Sequence, residues 1–467
     1  MNYGALVFDA NSETPLYLQL ADRLRQAIHR GDVIDGERLP SIRRLSRALQ
    51  VNPATAVAAY RILEQEGWVR SRPGSGVYAQ RKRSPIEAEY TEPLFHAKEG
   101  PLIDLAAGTP SPDMFPVEQF KEIVLEVIER DAGWAFEYQN IAGWEPFRKT
   151  LSRYAAETLQ IQADPSTIWV VSGAQQGIDL TAKALLHPGD RVIVEQPTYR
   201  GALGAFWSRA ADTISLEIHE EGMDMEVLEQ RLIHTRPRLL YIQSRFQTPT
   251  TYSWSAERLH RLLELADQYD FYILEDDLLS DLYFHQPPQP ITLKSIDKNN
   301  RVLYVRGFSK VLFPGLRLGL LIIPPALQSL YEQAKRSSDI ATDGFMQRTV
   351  DLYLQRNYHK SRMEELRVHF RDLHNIMYQA VQTHLEPLGC TAHFCDGGLH
   401  LWVRLPPEFK STALYYKALE QGIRITSGEA FHDESHIRLS YVCIEPRSID
   451  ESIYRLSLIM KGIAGEK

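Results

Sequence analysis

The sequence predicts an α/β protein in which an N-terminal winged helix-turn-helix precedes a doubly wound large domain and a smaller C-terminal α/β subdomain. Three observations predict it. Three short amphipathic segments and a glycine-turned hairpin fill the first 80 residues, a charged stretch with three prolines follows, and strands alternate with helices from Asp104 onward. At 467 residues, 44% hydrophobic and 24% charged, the chain is long enough for more than one core. The boundaries read from it are 1–80 for the head, 81–103 for a linker and 104–467 for the body, which divides near 327/328.

In the head, Leu16, Leu20, Leu24 and Ile28 recur every four positions, so Thr14 to about Arg30 reads as a helix with one apolar stripe. After the turn Asp35-Gly36-Glu37, a short helix from Ser41 to Leu49 presents Ile42, Leu45 and Leu49, with Ser41 as its N-cap. A third begins at Asn52-Pro53, where asparagine caps and proline loses nothing by lacking an N–H. It runs through Val57, Tyr60 and Leu63 toward Gly67. Trp68 to Arg72 and Val77 to Ala79 then read as two strands around Pro73-Gly74-Ser75-Gly76.

In the body, apolar runs at Ile168–Val171, Arg191–Val194, Leu239–Ile242, Phe271–Leu274, Val302–Val305 and Leu318–Ile323 predict strands buried on both faces. Helical stretches such as Gln176–Leu186 and Ala256–Tyr269 separate several of them. From about Gln328 long helices extend to His384. Strands at Thr391–Phe394, Leu399–Leu405 and His436–Val442 follow, with a last helix from Ser448.

Composition excludes some classes. Three cysteines, Cys390, Cys395 and Cys443, give neither a disulfide framework nor a C-x-x-C metal spacing, and a reducing cytoplasm is expected. The start, MNYGALVFDANSE, lacks a signal peptide's basic and apolar regions, and the most apolar region, Leu312–Leu327, contains Arg317 and two prolines. No membrane span and no metal are expected. The net charge of −8 is uneven: the first 83 residues carry 13 Lys and Arg against 8 Asp and Glu. A polyanion partner for the head and a plain surface imbalance both fit that asymmetry.

The head carries the residue types that read a DNA duplex. A helix entering the major groove needs small or hydrogen-bonding residues at its N-terminal end, and Asn52, Ala54 and Thr55 supply them. Arg43, Arg44, Arg47, Arg70 and Arg72 flank that end as phosphate anchors, and Gly74 and Gly76 give the wing close backbone approach.

The body places a different chemistry at its strand ends. Pyridoxal chemistry needs an amine, an acid for the ring nitrogen, a phosphate cradle and a surface for the ring. Lys310 follows Val302–Val305 in R-G-F-S-K-V-L-F-P-G-L-R-L-G, with Arg317 seven residues on as a phosphate clamp. Asp276 lies in E-D-D at the end of another strand. Ser172-Gly173-Ala174-Gln175 joins a strand to a helix, whose first N–H groups suit a phosphate. Tyr199 is either a ring surface or core. Arg438 is a charge in an apolar strand and wants a carboxylate.

Through P-S-I-R-R-L-S, V-N-P-A-T-A-V-A-A-Y-R and R-P-G-S-G-V-Y, residues 12–80 resemble the GntR family of winged-helix repressors. That resemblance implies double-stranded DNA contact by Arg43, the third helix start and the wing. One departure is Pro53, where many relatives carry arginine, so base preference does not transfer. Residues 103–463 resemble the fold-type-I aminotransferases. This implies pyridoxal 5'-phosphate as cofactor, Lys310 as Schiff-base lysine, Asp276 at the ring nitrogen, and Arg317 with the Ala174 and Gln175 amides on phosphate. It further implies Tyr199 stacked on the ring, Arg438 on an effector carboxylate, and Tyr138 reaching the partner's phosphate in a homodimer. Three departures stand out: F-Q-T-P-T-T puts Thr248 where relatives have asparagine near the ring hydroxyl, Leu278 and Leu279 follow the acid pair without a tyrosine, and Gly307 replaces a hydroxyl residue.

A GntR head fused to such a body resembles the MocR/GabR subfamily. The implied function is a transcription regulator that binds an operator and senses a small amine, an amino acid or pyridoxal phosphate itself. An active aminotransferase with an accessory DNA-binding head is the alternative.

Overall fold

The computed structural model describes residues 15–30, 33, 36–49, 51–65, 68–72, 76–79 and 102–465. Contacts divide the chain into two units, Met1–Pro93 and Leu94–Lys467. Gly74 and nearly all of the expected linker lie outside the described residues.

The head comprises α1 (Leu16–Arg30), α2 (Ile42–Leu49) and α3 (Pro53–Gln65), then the antiparallel hairpin β1 (Val69–Arg72) and β2 (Gly76–Ala79). Both expected caps form. Arg44 N donates to Ser41 Oγ at 3.3 Å, and Ala54 N donates to Asn52 Oδ1 at 2.9 Å. Most of each expected stripe meets in one core containing Leu20, Leu24, Leu45, Ala56, Ala59 and Leu63, whereas Leu16 and Val57 are exposed. Tyr60, buried in it, donates its hydroxyl to Pro40 O at 2.7 Å and ties α3 to the turn before α2.

The body opens with β3 (Ile103–Asp104), α4 (Val117–Asp131) and α5 (Glu145–Leu159). There follow β4 (Ile168–Val171), α6 (Ala174–Leu185), β5 (Arg191–Gln196), α7 (Arg200–Trp207), β6 (Asp212–His219), β7 (Gly222–Met223) and α8 (Met225–Thr235). Then come β8 (Leu239–Ile242), α9 (Ala256–Tyr269), β9 (Tyr272–Asp277), β10 (Val302–Gly307) and β11 (Gly319–Ile322). These build one eight-stranded sheet in the order β4-β11-β10-β9-β8-β5-β6-β7. Neighbours from β10 through β6 pair in parallel, while β11 runs antiparallel to both β10 and β4.

Two features of this sheet escape a search for apolar runs. β6 alternates polar and apolar residues and buries only alternate side chains, as a strand near a sheet edge does. β9 and β10 continue past their apolar stretches because their charged ends are buried and paired: the fully buried Arg306 donates to Asp277 Oδ2 at 2.9 Å and also pairs with Asp281.

The rest is α10 (Gln328–Arg336), α11 (Gly344–Gln355), α12 (Tyr358–His384), β12 (Thr391–Ala392), β13 (His400–Arg404), α13 (Ser411–Glu420), β14 (Ile423–Arg424), β15 (Thr426–Ser427), β16 (His436–Ser440) and α14 (Pro446–Gly465). A sheet ordered β12-β13-β16-β15 forms the small subdomain. β3 pairs in parallel with β14, and Arg424 holds Asp104 with two hydrogen bonds, so the chain enters the body through its small subdomain. Among the described residues no helix is long and apolar enough to cross a membrane.

Gly307 and Gly319 face each other across β10 and β11. A Cβ on Gly319 would lie 2.8 Å from Arg306 O and 3.1 Å from Gly173 C, both backbone atoms that cannot swing aside. Gly319→Ala is therefore expected to cost about 1–3 kcal/mol of stability, measured as a lower denaturant midpoint at unchanged slope.

Candidate functional site

The parallel strands end along one edge of the sheet, where open α/β folds gather ligand contacts. β4 leads through Ser172 and Gly173 into α6, β5 leads to Tyr199, β8 to Gln243 and Thr248, β9 ends on Asp276 and Asp277, and β10 precedes Lys310.

At the α6 end, Gly173 has φ +88°, and a Cβ there would come within 3.1 Å of Arg317 Nη2. Arg317, itself at φ +48°, donates Nη2–H to Ser172 O at 2.9 Å. The guanidinium thus lies beside the start of a helix whose first amides, Ala174 and Gln175, have no acceptor within the helix. A Cβ on Gly307 would be 3.3 Å from Ala174 N. Gly307, where the resemblance expects a hydroxyl residue, therefore belongs to this end, because its register against Gly319 carries it to the start of α6.

Asp276 is buried, and its two oxygens differ. Oδ2 accepts from Tyr241 OH at 2.6 Å and from Gln243 Nε2 at 3.0 Å. Among the described residues Oδ1 has no hydrogen-bond partner. Burial pushes this carboxyl up to about 6, and the two donors hold it down. Tyr241 pairs with Leu274, which places its phenol diagonally across from Asp276 on the same sheet face. Leu279 is core, so the strand beside the acid supplies a phenol, not the residues after it. Thr248 is buried with Oγ1 likewise unpartnered among the described residues, and its backbone N donates to Gln243 Oε1 at 2.7 Å.

Behind them, Glu195 accepts from Trp254 Nε1 at 2.8 Å, Gln243 N at 3.1 Å and Gln247 Nε2 at 3.3 Å. Burial pushes Glu195 up to about 8. Tyr199, half-buried, donates its hydroxyl to Gln175 Oε1 at 3.0 Å. Three non-glycine residues around the site, Phe246, Thr251 and Arg317, have φ of +46°, +64° and +48°, a local cost that surrounding contacts must offset.

Lys310 is half-buried and donates Nζ–H to Gly108 O. Burial, and then the Arg438 charge, pushes its ammonium down to about 8. A Cβ on Gly108 would sit 3.3 Å from that nitrogen, so a side chain there would crowd the amine. Arg438 donates Nη2–H to Ala106 O at 3.3 Å and Thr426 Oγ1 at 3.2 Å. His400 is buried against Pro249 O at 3.0 Å, and burial with the Arg438 and Lys310 charges pushes its imidazolium down to about 3, leaving it neutral.

One extended segment joins these groups to the small subdomain. Ile103 N donates to Gly422 O at 2.9 Å, Leu105 N to Arg424 O at 2.8 Å, and Ser440 N to Leu105 O at 2.7 Å. Ala106 O then serves Arg438, Gly108 O serves Lys310, and Thr109 O accepts from Cys443 Sγ at 3.0 Å. Tyr138 is apart from this cluster: it is 81% exposed, near Trp134 at 75% and Phe136 at 68%.

In the head, Arg43, Arg44, Arg47, Asn52, Ala54 and Arg70 are exposed and Thr55 is partly so. Arg72 lies in β1, and Gly76 opens β2 at φ +120°. Asn52 spends its carbonyl on the α3 cap, which leaves its amide hydrogens as donors. Sequence reasoning missed Arg38, whose Nε would be 2.8 Å from a Cβ on Gly76. It also missed Gly108, Tyr241, Gln243 and His400. Tyr241 and Gln243 stand in L-L-Y-I-Q, which reads as an apolar strand end, and only the glutamine signalled a polar contact.

The family of aminotransferase class I and II matches residues 101–456, and that of bacterial regulatory proteins, gntR family, matches residues 16–79. The chain is 32% identical over 384 residues to aromatic-amino-acid aminotransferase 1 of Thermococcus litoralis, covering 80% of this chain and 91% of that protein. It is 25% identical over 477 residues to the probable rhizopine catabolism regulatory protein MocR of Rhizobium meliloti, covering 97% and 95%. The crystal structure of a multiple substrate aminotransferase from Thermococcus profundus superposes with a TM-score of 0.75 at 31% identity, covering 79% of this chain and 94% of that one.

The raised Glu195 carboxyl gives a pH-dependent expectation. Unfolded, it ionises near its ordinary 4.5, whereas folded it keeps its proton to about 8. The folded state therefore loses stability as pH rises between those values. In cofactor-free protein, the stability of Glu195→Gln relative to wild type should climb from pH 5 to pH 8. A pH-independent difference in denaturant midpoints contradicts the assignment.

Proposed function

We propose that this chain, a member of the class I and II aminotransferase family bearing a gntR-type head, is a pyridoxal-phosphate-dependent regulator that binds operator DNA and senses an amine-bearing effector. The observation that carries the reading is the fusion itself. The match to MocR covers 97% of the chain, whereas the aminotransferase matches cover about four fifths of it.

The residues at the strand ends fit pyridoxal phosphate. Asp276 Oδ1 and Thr248 Oγ1 are buried polar atoms without a partner among the described residues, a costly state unless a ligand completes them. Bound there, the cofactor supplies an aldehyde and an electron-withdrawing ring. Lys310 offers an amine that sheds its proton near physiological pH. Asp276 would hold the ring nitrogen, Tyr199 and Thr248 would contact the ring and its hydroxyl, and Arg317 with the Ala174 and Gln175 amides would hold the phosphate. Arg438 takes the effector's carboxylate by exchanging its hold on Ala106 O.

Such an effector acts on DNA binding only through a difference in its affinity for two arrangements of the protein. The exposed Trp134, Phe136 and Tyr138 support a homodimer in which Tyr138 of the partner subunit reaches the phosphate. Operator contact is assigned to Arg43, Arg44, Arg70, Arg72, the start of α3 and the wing glycines.

Lys310→Ala is expected to abolish the near-ultraviolet absorbance of bound cofactor and its fixation by borohydride, with DNA affinity still measurable by shift assay. Cofactor fixation retained in that variant removes Lys310 from the role. Arg43→Ala should weaken operator binding and reduce the slope of log affinity against log salt by about 1. An unchanged slope argues against phosphate contact there. Titration of cofactor-free protein with pyridoxal phosphate, then with amines, separates a cofactor sensor from an amine sensor.

A further inference from the structure

Gln243 follows β8, is 2% exposed, and uses both ends of its side-chain amide. Nε2 donates to Asp276 Oδ2 at 3.0 Å, and Oε1 accepts from Thr248 N at 2.7 Å. Those contacts fix the amide's orientation: rotated by half a turn, its oxygen would face a carboxylate and its N–H groups a backbone N–H. Its own backbone N is held by Glu195 Oε2 at 3.1 Å. The side chain therefore spans from the acid whose Oδ1 is open to the threonine whose Oγ1 is open.

We infer that Gln243 is a positioning residue that joins the two ends of the cofactor ring, coupling the acid at the ring nitrogen to the Thr248 loop at the ring hydroxyl. The inference rests on pyridoxal phosphate binding as assigned above and adds a residue to it. Thr248 Oγ1 has no partner among the described residues, so the Gln243 bond to its backbone N is what constrains that loop from the β8 side. The groups that act on Asp276 are Tyr241 of β8, Gln243 just after it and Glu195 from β5, with the charge of Asp277 beside it in β9 on the opposite face. Of these, Gln243 alone also holds the Thr248 backbone.

The sign of its effect follows. A donor on Oδ2 favours the Asp276 carboxylate, and an ionised Asp276 keeps the ring nitrogen protonated. A protonated ring withdraws electrons from the nitrogen of Lys310 when that residue holds the cofactor, so this nitrogen loses its proton at lower pH. Removing the Gln243 donor reverses each step and moves that loss to higher pH.

The test uses full-length protein loaded with pyridoxal phosphate, and reads the pH midpoint of the cofactor's near-ultraviolet-to-visible absorbance change together with cofactor affinity. Gln243→Met is similar in volume and uncharged, and it removes both the donor to Asp276 and the acceptor for Thr248 N. It should raise the midpoint by roughly half a unit or more and weaken cofactor affinity by about tenfold. Gln243→Leu, slightly smaller, should do the same. A wild-type midpoint in either folded variant overturns the inference, because a merely structural glutamine would leave the titration in place. If wild-type protein itself takes up no cofactor, the assignment of the site falls first and the bridge falls with it.

Discussion

A half-satisfied carboxylate organises the body. Asp276 lies out of water at the end of β9, with one oxygen held by Tyr241 and Gln243 and the other open. A buried charge in that state is expensive, and the surrounding fold is arranged to hold it. Register between β8 and β9 aims Tyr241 across the sheet, and Glu195 braces the backbone of Gln243 from β5. Parallel strands bring all of these to one edge, so Asp276, Lys310 and the Arg317 guanidinium at the α6 start come from segments far apart in sequence yet share one ledge.

Much of that ledge is legible in the sequence because its parts are local. Lys310, Asp276, Arg317 and the Ala174-Gln175 turn each stand within a few residues of an apolar strand, and the strand fixes where they emerge. What resisted reading is contact between strands. Nothing near Tyr241 reveals that its hydroxyl crosses to Asp276, and nothing near Gly108 reveals that its carbonyl meets Lys310. Gly307 illustrates the same limit: three residues before the lysine in sequence, it faces the α6 start in space.

For the fold, continuous apolar runs located Ile168–Val171 and Leu239–Ile242 to the residue, since strands covered on both faces admit little else. β6 was missed because one of its faces is wet, and β3 because two residues cannot carry a period. The head was read well because caps and turns are written in single residues. Ser41 and Asn52 each accept a backbone hydrogen bond where a helix begins.

The entry of the chain into the body has a corollary. Residues 103–109 are laced to the small subdomain at one end and lie under the Lys310 amine at the other. The carbonyls of Ala106 and Gly108 are the acceptors on which Arg438 and Lys310 rest. Any ligand that recruits either cation must therefore replace an acceptor that one short run of backbone supplies to both.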